Sequence, residues 1–281
     1  MQILGIDLGG TNVRAGLVED DSLVRVESQP LNKSDNAGEV VDEIADLIRR
    51  FFPSKIVGIG IGVPSVVDIE RGIVYDVANI PSWKEVPLKS LLEEKFDVPV
   101  YVNNDANCFA VGEKYFGKGK GYQNVVGLIV GTGLGAGIVI KDKLYAGTNC
   151  GAGEFGCVPY KDKNYEYYCS GQFFTNEYHT PGEDFFKRAA DGDREAIDVF
   201  SIFGANLGDA LKLVMYSVDP EIIVLGGSVC KSFDFFKDAM YDAIRNFAYP
   251  KSLKNIRIEV SEIENVAILG AAALYYDEMR K

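Results

Sequence analysis

The sequence predicts an α/β protein made of two domains with the same plan. Three strand-like runs followed by alternating helices and strands occur twice along the 281 residues. A glycine-rich loop follows the first strand of each half. A chain of this length has enough residues for two hydrophobic cores.

The first half predicts three strands, then a helix, a strand, a helix, a strand and a helix. The apolar residues of its first helix recur at helical spacing, and Pro53 ends that helix. The predicted ranges are 3–7, 13–19, 23–28, 37–52, 55–61, 88–96, 98–103 and 105–115.

The second half repeats the pattern after a linker at 118–123, but it contains a long insertion. Residues 147–180 are rich in tyrosine and in turn-forming residues, and we predict mostly loop there. The other predicted ranges are strands at 124–131 and 135–141, a short strand near Leu144, a helix at 194–216, a strand at 222–225, a helix at 233–248, a strand at 256–260 and a helix at 267–276.

Composition excludes several classes of protein. The net charge of −12 argues against nucleic acid as a partner, because the chain would repel a phosphate backbone. Five cysteines are an odd number in a chain that is not small, so we expect no disulfide framework and a reducing cytoplasm. We see no signal peptide or long apolar span and expect no membrane association.

The first glycine loop, residues 9–12, reads Gly9-Gly10-Thr11-Asn12. A turn without bulky side chains exposes backbone N–H groups, which bind anions such as phosphate. Asp7, two residues before the loop, is placed to hold Mg²⁺ through water. The alternative is a tight hairpin with a buried aspartate.

The second glycine loop, residues 131–133, reads Gly131-Thr132-Gly133, and Gly135 and Gly137 continue the run of small residues. Because glycine weakens strands, packing is a poor explanation for this run, whereas the close approach of a ligand to the backbone explains it. Two such loops suggest two halves that bind one polyphosphate, with a cleft between the domains.

Gly226 and Gly227 end a later predicted strand, directly before a helix. One interpretation is a bare backbone surface on which an adenosine lies. The alternative is a simple turn between strand and helix.

Asn104 and Asp105 lie where a predicted strand ends and a helix begins. Asp105 either caps that helix or acts as a general base that takes the proton of a substrate hydroxyl, while Asn104 orients the substrate. A cap needs one polar residue and residues 103–107 supply four, which favours a site. Glu154, among glycines, is either a solvated turn residue or an acceptor for sugar hydroxyls.

Five of these motifs occur in the order and approximate spacing of the ROK family (repressor, open reading frame, kinase). Over almost its whole length the chain resembles a ROK sugar kinase. The matching segments are Asp7–Arg14, Gly60–Pro64, Asn104–Asn107, Gly131–Gly137 and Gly151–Gly156.

The resemblance implies an actin-like ATPase fold, with two RNase H-like α/β domains and an ATP and sugar cleft between them. The family's last helix returns to the first domain, which implies domains of 1–117 plus 267–281 and of 118–266. The family also implies ATP with Mg²⁺, a cytoplasmic location and a homodimer.

The resemblance also implies a role for each candidate residue. Asp105 would activate the sugar 6-hydroxyl for attack on the γ-phosphate. The sugar would be bound by Asn79, Asn104, Asp105 and Glu154. The nucleotide would be bound by Gly9, Gly10, Thr11, Asn12, Gly131, Thr132, Gly133, Gly226 and Gly227.

The chain departs from the family's zinc segment. Cys157 stands where the family has a histidine, and Phe174 stands where it has a further sugar-binding glutamate. The family's three zinc cysteines fall on Tyr165, Tyr167 and Gln172. We therefore expect no structural zinc, with tyrosine and phenylalanine packing in its place. The spacing of Cys150, Cys157, Cys169 and His179 matches no zinc pattern.

These departures leave the acceptor open, because the missing histidine and glutamate contact the anomeric end of the sugar in the family. The main prediction is an ATP-dependent hexose kinase acting on the 6-hydroxyl of a sugar such as glucose. An N-acetylhexosamine, fructose or mannose kinase is the first alternative.

Three further readings stay open at this stage. One is a sugar or nucleotide sensor without catalysis, and another is a kinase that uses polyphosphate, which an acidic chain does not favour. A repressor would need a DNA-binding domain before the first glycine loop, where the sequence shows no room for one.

Overall fold

The computed structural model describes residues 1–32 and 34–279 and shows a mixed α/β protein. The strands are β1 Gln2–Leu8, β2 Asn12–Glu19, β3 Ser22–Pro30, β4 Ile56–Val63, β5 Val67–Asp68, β6 Ile73–Tyr75, β7 Glu85–Val86, β8 Val100–Asn104, β9 Val125–Val130, β10 Leu134–Ile140, β11 Lys143–Leu144, β12 Pro159–Tyr160, β13 Lys163–Asn164, β14 Ile222–Gly226 and β15 Arg257–Val260.

The helices predicted from the sequence are all present, and among the described residues four further helices occur at 165–169, 172–178, 182–190 and 250–255. The helices are α1 Ala37–Arg49, α2 Leu88–Phe96, α3 Asp105–Phe116, α4 Tyr165–Cys169, α5 Gln172–Tyr178, α6 Gly182–Ala190, α7 Arg194–Val218, α8 Phe233–Ile244, α9 Pro250–Asn255 and α10 Val266–Met279, with 3₁₀ turns at Phe155–Cys157 and Ser228–Ser232.

The chain forms two compact units, each made of separate stretches of sequence. Unit 1 comprises Met1–Gly121, Gly137–Ala152 and Glu262–Lys281, and unit 2 comprises Tyr122–Ala136 and Gly153–Ser261. The domain boundaries expected from the sequence stay a prediction. The compact units differ from them chiefly in that residues 137–152 belong to unit 1.

Unit 1 is built on a five-stranded sheet in the order β3-β2-β1-β4-β8. β1 to β3 are antiparallel neighbours, and β4 and β8 run parallel to β1. The amphipathic α1 contributes six buried residues to the core of this unit, Phe51 just beyond it is fully buried, and Pro53 follows its end. This arrangement places the ends of three parallel strands at one edge of the sheet.

The last helix, α10, packs on this same sheet. A Cβ on Gly5 or Gly60 would collide with the backbone of α10, so these two glycines allow the helix to lie close to β1 and β4. Ile3, Val18, Leu269 and Ala272 form a buried cluster at the contact. The resemblance predicts this packing of the last helix.

The second sheet has the order β11-β10-β9-β14-β15, with β14 parallel to both β9 and β15. In unit 2 the long α7 contributes Phe200 and Phe203 to an aromatic core. Residues 147–164 are mostly loop, as predicted, but residues 165–178 contain α4 and α5, so the prediction is wrong for that part. Tyr168, Phe173 and Phe174 of this stretch are buried inside unit 2, which agrees with the aromatic packing expected from the sequence.

Within residues 1–32 and 34–279, no helix is both long enough and apolar enough to cross a membrane.

Candidate active site

Three strand ends in unit 1 bring candidate residues to one edge of its sheet. Asp7 of β1 lies opposite Gly62 of β4, and Gly62 lies opposite Asn103 of β8. These three strands are parallel, so the loops that follow them leave the sheet at the same edge. In open α/β sheets this edge is where ligands bind.

The first glycine loop joins β1 to β2 as a tight hairpin. Leu8 pairs with Val13, and the Gly9 N–H donates to the Asn12 carbonyl at 2.9 Å. Across the described part of the chain, no hydrogen bond engages the backbone N–H of Gly10 or Thr11. The loop therefore presents two N–H groups that an anion can accept.

Asp7 is held by an arginine that the sequence motif contains but to which we gave no role. Arg14 donates from Nη2 and Nε to the same oxygen, Oδ2 of Asp7, at 2.6 and 3.1 Å. Arg14 lies opposite Asp7 on β2, so the hairpin itself sets this pair. The ion pair fixes the carboxylate beside the first glycine loop.

Asn79 lies against the first glycine loop. A Cβ on Gly10 would come within 2.6 Å of Asn79 Nδ2. The Asn79 side chain is exposed, so its amide is accessible to a ligand next to the loop. The structure thus brings together two residues that the sequence separates by a long stretch.

Asn104, and not Asp105, is the N-cap of α3. Its Oδ1 accepts from the Ala106 N–H at 2.9 Å, and its Nδ2 donates to the Ser65 carbonyl at 3.3 Å. Asp105 is the first residue of the helix, and its Oδ1 also accepts from the Ala106 N–H. Because Asn104 already caps the helix, capping does not explain the carboxylate of Asp105.

A buried polar cluster supports this strand end. The Oδ1 of Asn103 accepts from the Asn104 N–H and from Asn107 Nδ2, both at 2.9 Å, and from the Cys150 thiol at 3.5 Å. Asn103 is 3% exposed and Asn107 is 1% exposed. Buried polar groups that bond one another hold a single geometry, so this cluster fixes the position of Asn104 and Asp105.

Cys108 is a buried thiol close to the candidate site. Burial raises the pKa of Cys108 well above its usual range, and the nearby carboxylates of Asp105 and Asp7 raise it further. The thiol is therefore neutral at physiological pH and is not a nucleophile. A Cβ on Gly62 would lie within 4 Å of both Cys108 Sγ and the Cα of Asp105, so this thiol lies close to the end of β4 and the start of α3.

The second glycine loop, in unit 2, has an organisation similar to that of the first. The Gly131 N–H donates to the Gly133 carbonyl at 3.0 Å, and the next strand begins at Leu134. Among the described residues, no hydrogen bond engages the backbone N–H of Thr132 or Gly133. Again two N–H groups are available to an anion.

Packing explains part of the glycine run, contrary to the expectation from sequence. A Cβ on Gly137 would lie 2.5 Å from the Ala106 carbonyl oxygen, so the approach of α3 accounts for that glycine. A Cβ on Gly131 would meet nothing within 4 Å. The argument for a ligand at this loop therefore rests on Gly131 and on the available amides.

Gly226 ends β14, and Gly227 has a backbone conformation that favours glycine, with φ of +94°. A Cβ on Gly227 would collide with the backbone of Val130, so close packing of the strand ends also requires glycine there. Next to this turn lies a cavity of about 430 Å³ within unit 2. Its wall includes Phe174, Phe186, Phe200, Lys187, Ser228 and Lys231.

This cavity has the size of a small-molecule site and aromatic walls, with two cationic side chains and the carboxylate of Glu183. Lys187 forms an ion pair with Glu183 at 2.9 Å. The sequence motifs include Ser228, which follows the Gly226-Gly227 turn, and Phe174, which is a departure from the family, but not the lysines or the other phenylalanines of this wall. Scattered phenylalanines and lysines on several helices form no local motif, so sequence reasoning had no pattern that could reveal them.

A larger cavity of about 1020 Å³ lies in unit 1 and does not coincide with the predicted site. Asn103, Tyr101 and Asp277 are in its wall, but none of the predicted binding or catalytic residues is. The candidate site is therefore defined by its residues and their hydrogen bonds, and it lies outside this larger cavity.

Glu154 is exposed and precedes the 3₁₀ turn Phe155–Cys157 in unit 2. The Cys157 thiol donates to Glu154 Oε2 at 3.7 Å. Partial burial and then the charge of Glu154 raise the pKa of Cys157, so this thiol stays neutral. Cys157 is thus a neighbour of Glu154 and not a reactive centre.

Aromatic rings occupy the region of the family's zinc segment. Tyr165 stacks on Tyr160 with ring centroids 4.3 Å apart, and Tyr168 donates to Asp162. Phe174 is fully buried and contacts other phenylalanine rings. Within residues 1–32 and 34–279, no group of three or more His, Cys, Asp or Glu side chains is arranged to hold a metal ion.

Comparison with known proteins gives one consistent family. Residues 3–278 match the ROK family. The glucokinase of Thermotoga maritima is 27% identical over 98% of this chain and 97% of its own length. The xylose repressor of Bacillus subtilis is 27% identical over 98% of this chain and 77% of its own.

Among solved structures, a ROK family glucokinase from Streptomyces griseus in complex with glucose and AMPPNP has the same fold. It superposes with a TM-score of 0.80 at 26% identity, over 98% of this chain and 99% of its own. The actin-like ATPase fold implied by the sequence motifs is confirmed by this likeness.

Proposed function

The chain belongs to the ROK family, and from this we propose that it is an ATP-dependent kinase of the 6-hydroxyl of a hexose such as glucose. The carboxylate of Asp105 carries the proposal. It lies at the ligand-binding edge of the unit 1 sheet, on a helix whose cap is supplied by Asn104, above a buried polar cluster that fixes its position.

The proposed reaction is a direct phosphoryl transfer. The sugar 6-oxygen forms a bond to the γ-phosphorus, the bond from that phosphorus to the β–γ bridging oxygen breaks, and ADP leaves. Asp105 accepts the proton of the 6-hydroxyl as a general base. Phosphoryl transfer depends mainly on positioning and on neutralising charge, so one well-placed carboxylate is enough.

The sugar is proposed to contact Asn79, Asn104, Asp105 and Glu154. Asn79 and Glu154 are exposed, and each can accept or share a hydrogen bond with hydroxyl groups. The Oδ1 of Asn104 already caps α3, and its Nδ2 already donates to the Ser65 carbonyl. We therefore propose that Asn104 orients Asp105 as well as the sugar.

The nucleotide is proposed to contact both glycine loops and the Gly226-Gly227 turn. The available N–H groups of Gly10, Thr11, Thr132 and Gly133 fit phosphate oxygens. The aromatic cavity beside Ser228 fits a purine, and Lys231 in its wall can contact an anionic group, whereas Lys187 is paired with Glu183. The AMPPNP complex of the Streptomyces griseus relative supports ATP as the donor.

Magnesium fits this site as an ion that arrives with the nucleotide. Mg²⁺ binds one or two carboxylates together with substrate phosphates and keeps several waters. Asp7 is the carboxylate that we propose to hold it through water, and Arg14 fixes its orientation. When bound, the ion neutralises charge on the transferring phosphate. We propose no structural zinc.

The identity of the acceptor is a separate proposal. Cys157 and Phe174 replace the family's histidine and glutamate, and Phe174 is buried where it offers a sugar no polar group. We therefore keep an N-acetylhexosamine, fructose or mannose as alternatives to glucose. A cytoplasmic homodimer is proposed from the family alone.

A non-catalytic sugar or nucleotide sensor is the second candidate. The likeness to a xylose repressor over 98% of this chain favours it, because that relative is named for regulation. A sensor does not need a positioned general base. Whether Asp105 is needed for sugar-dependent ADP release therefore distinguishes the kinase from the sensor.

A coupled ADP-release assay tests the proposal with Mg-ATP and a panel of glucose, mannose, fructose, N-acetylglucosamine and N-acetylmannosamine. The proposal predicts ADP release that depends on at least one sugar. Binding of a sugar without any sugar-dependent ADP release would favour the sensor. Glucose turnover at least about tenfold above all others would overturn the altered-acceptor alternatives, since a preference of that size exceeds the contribution of one ordinary hydrogen bond, about 1 kcal/mol.

A further inference from the structure

We propose that Glu166, held by Gln172, is a positioning residue for the second glycine loop and so sets nucleotide affinity. The link to nucleotide rests on the function proposed above. The brace is defined as residues 164–172, all of which lie in unit 2 together with the second glycine loop.

The brace contacts the second glycine loop at both of its ends. The Gly171 N–H donates to the Gly131 carbonyl at 2.7 Å. The Leu134 N–H donates to Glu166 Oε2 at 3.0 Å. Thr132 and Gly133 therefore lie between two residues that are hydrogen-bonded to the brace, and their own N–H groups are available to an anion.

Glu166 is itself fixed on its other oxygen and by the loop. Gln172 Nε2 donates to Glu166 Oε1 at 3.2 Å. A Cβ on Gly133 would come within 2.6 Å of Glu166 Oε2, so the carboxylate lies directly against the loop. A hydrogen bond to a charged acceptor is stronger than one to a neutral acceptor, which suits a side chain that holds a glycine loop in place.

The brace is rigid for reasons of its own. Asn164 Oδ1 accepts from the Tyr167 N–H at 2.9 Å and caps α4. Tyr165 stacks on Tyr160, and Ser170 is fully buried with its Oγ accepting from the Gln172 N–H at 3.2 Å. These contacts keep Glu166 and Gly171 in place without a metal ion.

The negative charge of Glu166 lies next to a loop that we propose to bind phosphate. A carboxylate near a phosphate-binding loop should weaken anion binding by repulsion. Here each oxygen of Glu166 accepts a hydrogen bond from unit 2, which spreads its charge. We expect the gain in nucleotide affinity from a fixed loop to exceed the loss from the remaining repulsion.

Three variants separate positioning from charge. Glu166→Ala removes the acceptor and the charge. Glu166→Gln removes only the charge, because its amide oxygen can accept from Leu134 and its NH₂ can donate to Gln172 after that side chain flips. Glu259→Ala, on the exposed edge strand β15, is the matched control for loss of a surface carboxylate.

Two measurements read out the brace. Hydrogen exchange of the peptide 131–137 reports the Leu134 amide and needs neither nucleotide nor sugar. Calorimetric titration with Mg-AMPPNP reports nucleotide affinity, and the KM for the sugar reports the rest of the site. Exchange still tests the brace if the parent shows no sugar-dependent turnover, so the two proposals fail in distinguishable ways.

We expect Glu166→Ala to speed exchange of this peptide and weaken Mg-AMPPNP binding about tenfold, with an unchanged KM for the sugar. Glu166→Gln and Glu259→Ala should stay close to the parent in both measurements. Unchanged exchange in Glu166→Ala would overturn the brace. Faster exchange with unchanged nucleotide affinity, or tighter binding in both Glu166 variants, would overturn its role in nucleotide binding.

Discussion

The two glycine loops share their backbone chemistry and differ in what holds them. In each, the first glycine donates its N–H within the loop and the next two N–H groups are available. The first loop is held mainly by its own hairpin, with β1 and β2 paired up to Leu8 and Val13, and the Leu31 N–H after β3 donates to the Thr11 carbonyl at 2.9 Å. The second is held by a separate segment, residues 164–172, through Gly171 and Glu166.

The two loops differ in how far along the chain their supporting residues lie. The strands, the turn and the Arg14–Asp7 pair of the first glycine loop are all local in sequence, and Leu31 and Asn79 contact that loop from further along the chain. The second glycine loop depends on residues about 30 positions later, which in turn rest on an aromatic core. We therefore expect substitutions in unit 2 to reach the second loop from a distance.

The largest expected effect comes from removing the aromatic support. Phe174 is fully buried and contacts Phe173, Phe200 and Phe203. Phe174→Ala should lower the free energy of unfolding by about 3–5 kcal/mol because it leaves a cavity among these rings. Denaturant unfolding checks this, with the half-buried Phe235→Ala as a milder control. A loss equal to that of the control would contradict the proposed support.

A matched pair of glycine substitutions compares the loops directly. A Cβ at Gly133 or at Gly10 would come within 2.6 Å of a side chain, Glu166 in one case and Asn79 in the other. Gly133→Ala should weaken Mg-AMPPNP binding about tenfold, because moving Glu166 releases Leu134. Gly10→Ala should instead raise the KM for the sugar, because it moves the exposed Asn79.

Titration with Mg-AMPPNP and sugar kinetics on both variants measure this contrast. Equal losses of nucleotide affinity in the two variants would show that the loops do not differ in their dependence on outside support.

Gly131→Ala isolates the effect of a ligand from that of packing. A Cβ there meets nothing within 4 Å, so the melting temperature should stay within about 1 °C of the parent. Nucleotide affinity should still fall, since the methyl group would occupy the space that a phosphate approaches. Differential scanning fluorimetry with and without Mg-AMPPNP checks both points, and a lower melting temperature without nucleotide would mean that packing requires this glycine.

The smallest expected effect is that of a chelator. If aromatic packing holds residues 157–174 without zinc, EDTA should leave the melting temperature of the nucleotide-free protein unchanged. A structural zinc contributes folding free energy, so its removal would lower the melting temperature by many degrees. Metal analysis of the purified protein provides the independent control.

The sequence predicts the parts of this account that are local. Strand–turn–strand patterns locate both glycine loops, helical periodicity locates α1, and the change from an apolar strand to residues 105–115 locates α3. The polar excess at 103–107 marks Asp105 as more than a cap, and the structure assigns the cap to Asn104. Tyrosines at the zinc positions indicate packing, and the stacking of Tyr165 on Tyr160 is consistent with it.

What the sequence does not predict depends on long-range packing. Gly137 and Gly227 follow the pattern of ligand-binding glycines, yet neighbouring backbone also requires them. Residues 165–178 have turn-like composition but form helices because their aromatic side chains are buried against α7 and its neighbours. Glu166 has no motif of its own, and only its contact with Leu134 reveals it.

The most direct test of the central claim is the turnover of Asp105→Asn beside the parent, with Mg-ATP and the best sugar of the panel. Asparagine keeps the shape of the side chain but cannot accept the 6-hydroxyl proton. The account predicts that kcat falls by about 10²–10⁴-fold, the contribution of a general base, with little change in sugar binding. Turnover within a few-fold of the parent would contradict Asp105 as the base and with it the proposed mechanism.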